Sequence, residues 1–321
     1  GDVEILIFDE IQEIKGWERF ISRLRNSKKI IITGSNAQLL QGELATYLTG
    51  RHLDFNLYPL SFKEIIGTTD KTITTTQKAE IRNKLEGYIL GSGFPEYLKF
   101  GKMIIQTIYA DIITKDCLIR YPIKEEEAFR KLAHYLVSNF SQECTFSKLS
   151  KIVGIKDVHT VRNYTRYLEE AFLVFFVERY SPKLKQQMIA PKKIFVVDHG
   201  IPNAVGFSIS PDKGKIYENI VFIELLRRKT YQRKYYYFKD HQQYEVDFVI
   251  KEGNKITELI QVCFNIQDEK TKNREIRGLE KASKELACPT LTIITNNEEK
   301  KEKINGKTIS YIPLWKWLLE K

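Results

Sequence analysis

Two carboxylates follow a short apolar run near the start of the 321-residue sequence. The run ILIF (5–8) leads directly into Asp9 and Glu10, and such a continuous apolar run is typical of a strand buried on both faces of a parallel sheet. An acidic pair at the end of this kind of strand has the form of a Walker B motif. In that motif the aspartate holds Mg²⁺ and the glutamate polarises the water that attacks a γ-phosphate.

Further polar residues follow the next predicted strand, KKIIITGSN (28–36), and a helical pattern over 17–26 separates the two strands. A strand, a helix and a strand in this order form a βαβ unit with parallel strands, whose ligands gather at the carboxyl ends of the strands. Asn36 is placed there to sense a γ-phosphate, and Arg51 to neutralise phosphate charge. With the acidic pair they predict an ATP site, although an acidic pair after a strand is common by itself.

A second group of polar residues lies on a predicted helix and hairpin near the C-terminus. Glu218 is on the helix, Asp247 on the first hairpin strand, and Gln261 and Cys263 on one face of the second, because side chains two apart in a strand point the same way. The order αβββαβ and these positions resemble the core of PD-(D/E)xK nucleases, whose acids hold Mg²⁺ and whose lysine orients water.

Two of these positions depart from the nuclease pattern. Gln261 stands where the second acid belongs and brings no charge, while Cys263 stands where the lysine belongs. We expect the nuclease-like fold with impaired or absent cleavage, and at most a weakly held Mg²⁺ at Asp247. The alternative is a hairpin with one stray aspartate beside a helix with one stray glutamate.

The middle of the chain carries basic residues on a predicted helix-turn-helix. A helix, a turn around Gly154, a second helix and a β-rich run follow one another, which is the order of a winged helix over about 143–180. His159, Arg162 and Arg166 lie on the second helix and predict contact with duplex DNA. The alternative is a winged helix that only packs against other domains.

These residues belong to three segments of different character. Residues 1–70 read as part of a parallel sheet, 71–205 as mostly helical, and 206–321 as α+β, so the predicted class is α/β followed by α+β. The net charge is −2, +7 and +5 in the three segments. The basic excess outside the first segment permits nucleic-acid binding without demonstrating it. A Thr-rich stretch over 67–78 has the composition of a linker.

Composition narrows the class of protein. Hydrophobic residues make up 42% and charged residues 29% of the chain, as in ordinary globular proteins. No apolar run approaches the roughly 18 residues that span a bilayer, and acidic residues begin at Asp2, which disfavours a signal peptide. The four scattered cysteines indicate reduced thiols and no zinc site. We therefore expect a cytoplasmic protein without a membrane partner.

Short motifs along nearly the whole chain resemble a group of prokaryotic AAA+-type ATPases. Their C-terminal part is domain of unknown function 4143, which has a restriction-endonuclease-like core. The motifs are DEIQEIKGWERFISRL (9–24), TGSNAQLL (33–40), LTGRHLDFNLYPLSFKE (48–64), GSGFPEYL (91–98), DIITKD (111–116) and YEN…EVDFVI…QV (217–262). The resemblance implies ATP and Mg²⁺ as cofactors of the intact parent, and a cellular role that is unknown.

One part of the family pattern is missing. The phosphate-binding loop GxxxxGK[ST] should precede the Walker B strand by several tens of residues, and this sequence contains none. We expect a chain truncated before that strand, by nature or by experiment. Because the loop cradles the phosphates, we expect this chain to hold no cofactor tightly and not to hydrolyse ATP.

Two functions from different classes are consistent with these observations. The first is a DNA-associated, nucleotide-driven protein whose truncated form has lost ATP hydrolysis. The second is a non-enzymatic interaction module that uses the nuclease-like domain as a binding surface. The partners that these functions imply are duplex DNA and a second copy of the chain.

Overall fold

The computed structural model describes residues 4–11, 14, 16–35, 52–67, 74–206 and 212–320. Its N-terminal unit is the predicted βαβ: strand β1 (Ile5–Phe8) pairs in parallel with β2 (Lys29–Ile32), and helix α1 (Trp17–Leu24) connects them. One face of this small sheet packs on a cluster around Trp17, while Ile7 on the other face is 67% exposed. The parallel sheet that the sequence predicts at this end of the chain is therefore confirmed.

The helical segment begins earlier than the composition suggests. Helix α2 (Phe62–Ile66) opens with a capping box formed by Ser61 and Glu64. Helix α3 (Thr75–Leu90) does the same with Thr74 and Gln77, so the predicted linker over 67–78 is helical from Thr75 onwards. Thr75 and Thr76 cost the helix little stability, because a capping box precedes them. The Thr74 side chain accepts from the Gln77 N–H, and the Gln77 side chain accepts from the Thr74 N–H.

Helix α4 (Tyr97–Phe100) and helix α5 (Lys102–Asp111) follow, and α5 continues directly into a π-helical turn over Ile112–Leu118. The sequence pattern predicts one regular helix through Cys117. The wider turn changes the direction of the side chains after Asp111, and it presents Asp116 towards the N-terminal unit. The buried residues of this stretch, Ile113 and Cys117, are four positions apart. An α-helix gives the same spacing, so the apolar pattern does not reveal the π-helical turn.

The next elements form a helix-turn-helix backed by a small sheet. They are α6 (Glu126–Ser138), β3 (Glu143–Cys144), α7 (Phe146–Val153), α8 (Val158–Glu170), β4 (Val174–Glu178), α9 (Leu184–Ile189), β5 (Lys192–Val196) and α10 (Gly200–Val205). The sheet is antiparallel in the order β3-β5-β4. Gly154 makes the turn between α7 and α8 with φ +79°, and Asp157 caps α8 by accepting from the backbone N–H groups of His159 and Thr160.

The C-terminal segment is built on a six-stranded sheet. Its elements are α11 (Lys213–Arg227), β6 (Arg233–Lys239), β7 (Glu245–Glu252), β8 (Lys255–Cys263), α12 (Glu269–Glu285), β9 (Leu291–Thr295), β10 (Lys300–Ile304), β11 (Lys307–Pro313) and α13 (Leu314–Leu319). The strand order is β10-β11-β9-β8-β7-β6, with β8, β9 and β11 parallel and the other pairs antiparallel. The predicted order αβββαβ is present, and the sequence pattern misses the last hairpin and helix.

A continuous buried apolar cluster joins the helical segment to the C-terminal segment. It runs from Phe62 to Leu318 and includes Phe195 of β5, whose ring stacks on Phe222 of α11 at 4.2 Å between centroids. Asn219 of α11 is fully buried and bonds both the N–H and the C=O of Val196, at 2.9 and 3.0 Å. In the part of the chain that the structure describes, no helix is long and apolar enough to cross a membrane.

Candidate functional site

The predicted acidic pair lies at the carboxyl end of β1, beside the end of β2. The Thr33 hydroxyl donates a hydrogen bond to the Asp9 carboxylate, and Ser35 Oγ donates to Glu10 Oε2 at 3.3 Å. Glu10 has a φ of +48°, a left-handed conformation that costs a non-glycine residue energy and is frequent where a side chain must be aimed at a ligand. The strand ends thus bring together the polar groups that parallel pairing predicts.

Two residues of the helical segment complete this cluster. Asp116 Oδ1 lies 3.1 Å from Ser35 Oγ and shares its single hydroxyl proton with Glu10. Arg120 Nη2 lies 3.5 Å from Glu10 Oε2 and 3.4 Å from Asp116 Oδ1. Burial raises the pKa of Asp116, with Ser35 and Arg120 opposing it. Asp116 ends the motif DIITKD (111–116), but the sequence assigns neither it nor Arg120 to this site, because Ser35 and Asp116 are 81 positions apart and only the fold joins them.

We call Asp9, Glu10, Thr33, Ser35, Asp116 and Arg120 the strand-end cluster. Its chemistry fits the metal-binding and water-binding part of a Mg²⁺–nucleotide site. Asp9 and Thr33 offer oxygen atoms of the kind that Mg²⁺ prefers, and Glu10 is held beside them. The other predicted members, Asn36 and Arg51, lie outside the described residues. The given sequence holds no phosphate-binding loop of the GxxxxGK[ST] type. Among the described residues no group of three His, Cys, Asp or Glu side chains is arranged to hold a metal ion.

The predicted DNA-binding residues share one exposed surface of α8. His159, Arg162 and Arg166 are all exposed. The Arg162 guanidinium lies over the Phe146 ring at 5.2 Å, which holds it close to α7, and Arg166 pairs with Glu170 at 3.5 Å. Three exposed lysines on α7 and the turn, which no sequence motif marks, extend the basic surface: Lys148, Lys151 and Lys156.

The C-terminal candidates converge around a residue that the sequence analysis did not predict. Lys193 of β5 is 3% exposed, and its Nζ lies 2.7 Å from Glu218 Oε1 and 2.9 Å from Asp247 Oδ1. Glu245, two residues before Asp247 on β7, adds a third carboxylate at 2.5 Å from the same nitrogen. We call Glu218, Glu245 and Asp247 the acid cluster.

The remaining two predicted positions lie against the acid cluster without joining it. Gln261 Oε1 accepts from the Asp247 backbone N–H at 3.1 Å, and Gln261 Nε2 donates to Glu275 Oε2 at 2.7 Å. The Val262 N–H donates to Asp247 Oδ2 at 2.9 Å. Cys263 is buried in the apolar layer between the sheet and α12, where burial raises the pKa of its thiol to about 12.

The charges of the acid cluster are set by burial and by Lys193 together. Burial raises the pKa of Glu218 to about 8 and also raises that of Asp247, against the attraction of Lys193. Burial acts in the same sense on Glu245, but Lys193 and Lys239 outweigh it and lower its pKa. Burial disfavours the Lys193 ammonium, yet the three carboxylates raise its pKa well above the usual value. Lys193 is therefore charged at neutral pH.

The sequence gives only a weak indication that Lys193 is buried. The stretch KKIFVV (192–197) pairs two lysines with an apolar run, which would predict a buried strand that starts at a solvated end. The structure instead buries the second lysine and leaves Lys192 half-buried beside Glu178, at 3.1 Å. The buried ammonium is explained by contacts of β5 with α11 and β7, whose acids Glu218 and Asp247 lie 25 and 54 positions away in sequence.

Comparison with known protein families finds matches over three parts of the chain. Three family models match: an AAA domain over residues 2–66, domain of unknown function DUF8612 over 82–213, and domain of unknown function DUF4143 over 213–317. The chain is thus an ATPase-like protein that combines an AAA domain with a DUF4143 domain. The resemblance to AAA-type ATPases with this C-terminal domain, as the sequence predicts, is confirmed.

Two relatives match almost the whole chain. The uncharacterized protein MJ1544 of Methanocaldococcus jannaschii is 36% identical, over 98% of this chain and 74% of its own length. An uncharacterized protein of Haemophilus influenzae is 30% identical, over 96% of this chain and 76% of its own length. The chain belongs to the family of MJ1544.

Proposed function

We propose that the chain is a DNA-associated, ATPase-like protein that binds duplex DNA through α8 and whose C-terminal domain is a nuclease-like fold without cleavage activity. The observation that carries the proposal is the exposed basic surface formed by α7 and α8. Arg162 and Arg166 lie one helical turn apart on α8, so both can reach the same stretch of phosphate backbone.

The elements around α8 support this assignment. A helix pair joined by a tight glycine turn and followed by an antiparallel hairpin is the arrangement of a winged helix, in which the second helix enters the major groove. Phosphate contacts by Lys and Arg supply most sequence-independent affinity. We therefore expect weak binding with little sequence preference, because the exposed side chains on this surface are mostly Lys and Arg.

The test is fluorescence anisotropy with a labelled duplex at several salt concentrations. Arg162→Ala with Arg166→Ala should weaken binding and reduce the slope of log K against log salt by about 0.9 for each phosphate contact that is lost. The matched control is Lys270→Ala with Lys284→Ala, which removes two exposed charges from α12 and should leave the slope nearly unchanged. A double α8 variant that binds like the parent would show that α8 only packs against its neighbours.

The strand-end cluster is the proposed ATP site of this family. In the intact site Asp9 and Thr33 would hold Mg²⁺, Glu10 would polarise the attacking water, and Arg120 would position Glu10. Asn36 and Arg51 keep the roles that the sequence predicts for them, as sensor and as phosphate-charge partner. The bound nucleotide would supply the reactive phosphoanhydride.

A second candidate function is a non-enzymatic interaction module, and the acid cluster favours it. A cleavage site needs a hard dication and a lysine or equivalent near the scissile phosphate, whereas Asp247 is already paired with Lys193. We expect no cutting of plasmid or oligonucleotide DNA with Mg²⁺ or Mn²⁺. Metal-dependent cutting that disappears in Asp247→Ala would contradict this expectation and would show that the domain is an active nuclease.

A further inference from the structure

We propose that the Lys193 ammonium occupies the position at which metal-dependent nucleases of this fold hold a divalent cation, so that the acid cluster takes no metal. In this arrangement the cluster fastens the six-stranded sheet to the small antiparallel sheet. The proposal rests on the nuclease-like fold proposed above for the C-terminal domain, and it does not depend on DNA binding by α8.

The geometry of the nitrogen carries the inference. Carboxylate oxygens from Glu218, Glu245 and Asp247 lie 2.7, 2.5 and 2.9 Å from Lys193 Nζ, and they come from one helix and one strand that belong to the C-terminal segment. Convergence of several acidic oxygens on one point is how proteins hold Mg²⁺ or Ca²⁺, at about 2.0–2.6 Å. Here the point is a nitrogen with three N–H donors, which donates to Glu218 Oε1 and Asp247 Oδ1 and forms an ion pair with Glu245 Oε1.

The oxygens that a metal would still need are already in use. Asp247 Oδ2 accepts from the Val262 N–H. Gln261, at the position of the second acid, turns its oxygen to the Asp247 N–H and its NH₂ group to Glu275. The residues present therefore do not fit a divalent cation while Lys193 is in place, since a second cation at this point would also face the repulsion of the ammonium.

The ammonium comes from a different part of the chain than the acids, and this gives the cluster its structural role. Lys193 is on β5, while Glu218 and Asp247 are on α11 and β7. A second pair crosses the same boundary nearby, because Lys239 Nζ of β6 lies 2.8 Å from Glu143 Oε2 of β3 and 3.4 Å from Glu245 Oε2. Breaking one partner of a buried pair leaves an uncompensated charge and is strongly destabilising.

The first experiment measures metal binding by calorimetric titration with Mn²⁺ and by thermal unfolding with Mn²⁺ or EDTA. The wild type should bind no Mn²⁺ at the acid cluster. Its titration should therefore be the same as that of Asp247→Ala. Lys193→Ala should gain one Mn²⁺ and a metal-dependent rise in Tm, and the added change Asp247→Ala should abolish both. Lys192→Ala is the matched control: it removes the neighbouring charge, which pairs with Glu178, and should gain nothing.

Two results overturn the proposal. One is a wild type that binds Mn²⁺ through Asp247. The other is a folded Lys193→Ala variant that has no response to metal.

A second experiment decides the matter if Lys193→Ala does not fold. Lys193→Met keeps the length of the side chain without its charge and should lower the Tm by about 5–15 °C. Adding Asp247→Asn removes one of the stranded carboxylates and should recover a large part of that loss. A double variant that is no more stable than Lys193→Met, or that also fails to fold, would show that Lys193 is not the counter-charge of the acid cluster.

Discussion

The burial of Cys263 argues against nucleophilic catalysis by its thiol. It stands where the nuclease pattern has a lysine, and a cysteine there could in principle act as a nucleophile. The structure places it in an apolar layer, and burial raises the pKa of Cys263, like those of Cys117 and Cys144, to about 12. At neutral pH these thiols are therefore protonated, and the thiolate is the reactive form.

We predict that the folded protein resists thiol reagents. All four cysteines are free and buried. For Cys117, Cys144 and Cys263 a pKa of about 12 leaves roughly one thiol in ten thousand ionised at pH 8, and burial also raises the pKa of Cys288. Titration with a disulfide reagent should detect no rapidly reacting thiol in the native protein and four in denaturant. One equivalent of fast-reacting thiol in the native protein would contradict the burial, and Cys263→Ser would show whether that thiol is Cys263.

Glu218 should make stability depend on pH. Its pKa is about 8 in the folded chain against 4.5 as the ordinary value, so between these values the folded state holds more protons than the unfolded state. Where that is so, stability falls as pH rises. Glu218→Gln cannot titrate, and the variant should therefore gain about 1–3 kcal/mol relative to the wild type between about pH 5 and pH 9. Urea unfolding across this range measures the difference, and a constant difference would exclude the raised pKa.

At the scale of elements, α12 lies close against β7 because Gly278 has no side chain. A methyl group at this position would lie 2.5 Å from the Glu245 carbonyl oxygen. We predict that Gly278→Ala pushes α12 away from the strand that carries the acid cluster and costs about 1–3 kcal/mol. Urea unfolding tests this.

Gly87 provides the matched control for that change. It is also inside a helix, but nothing lies within 4 Å of the added methyl group, so Gly87→Ala should stabilise the protein by about 0.5–1 kcal/mol. Equal effects of the two substitutions would mean that α12 can shift without cost.

Local patterns predict the elements of this protein better than they predict its sites. The first βαβ unit, α8, and the order αβββαβ follow from apolar periodicity and turn residues, because each is encoded within a short window. Strand β5 is missed, since two lysines precede its short apolar run. Missing β5 also conceals Lys193.

The residues of the candidate sites are likewise predicted only where a sequence pattern marks them. Glu218, Asp247 and Gln261 are predicted because a family pattern marks them, and the structure brings them together. Arg120 and Lys193 are not predicted, because their partners lie far away in sequence and only packing creates the contact. Sequence reasoning finds residues that carry chemistry and does not find the residues that neutralise or position them.

At the scale of the whole molecule, the buried apolar cluster that joins the helical and C-terminal segments implies that they unfold together. Residues from α2, α6, α8, β5, α11 and α13 belong to this cluster, and Asn219 links α11 to β5 through two buried hydrogen bonds. Among the residues that the structure describes, the N-terminal βαβ unit has a separate buried cluster that contains Ile11, Trp17 and Ile21. This cluster shares no member with the larger one, so the unit can open independently of it.

We therefore predict that a single buried substitution in α11 weakens both segments equally. Asn219→Ala leaves the N–H and C=O of Val196 without partners in the core and should cost about 2–4 kcal/mol. In hydrogen exchange, peptides from α6 and from α11 should lose protection by the same factor, because one global opening exposes both. Peptides from α1 should exchange faster than either and should not respond to the substitution. Loss of protection confined to α11 would mean that the two segments open independently, and the shared cluster would then be an interface between two separately folding units.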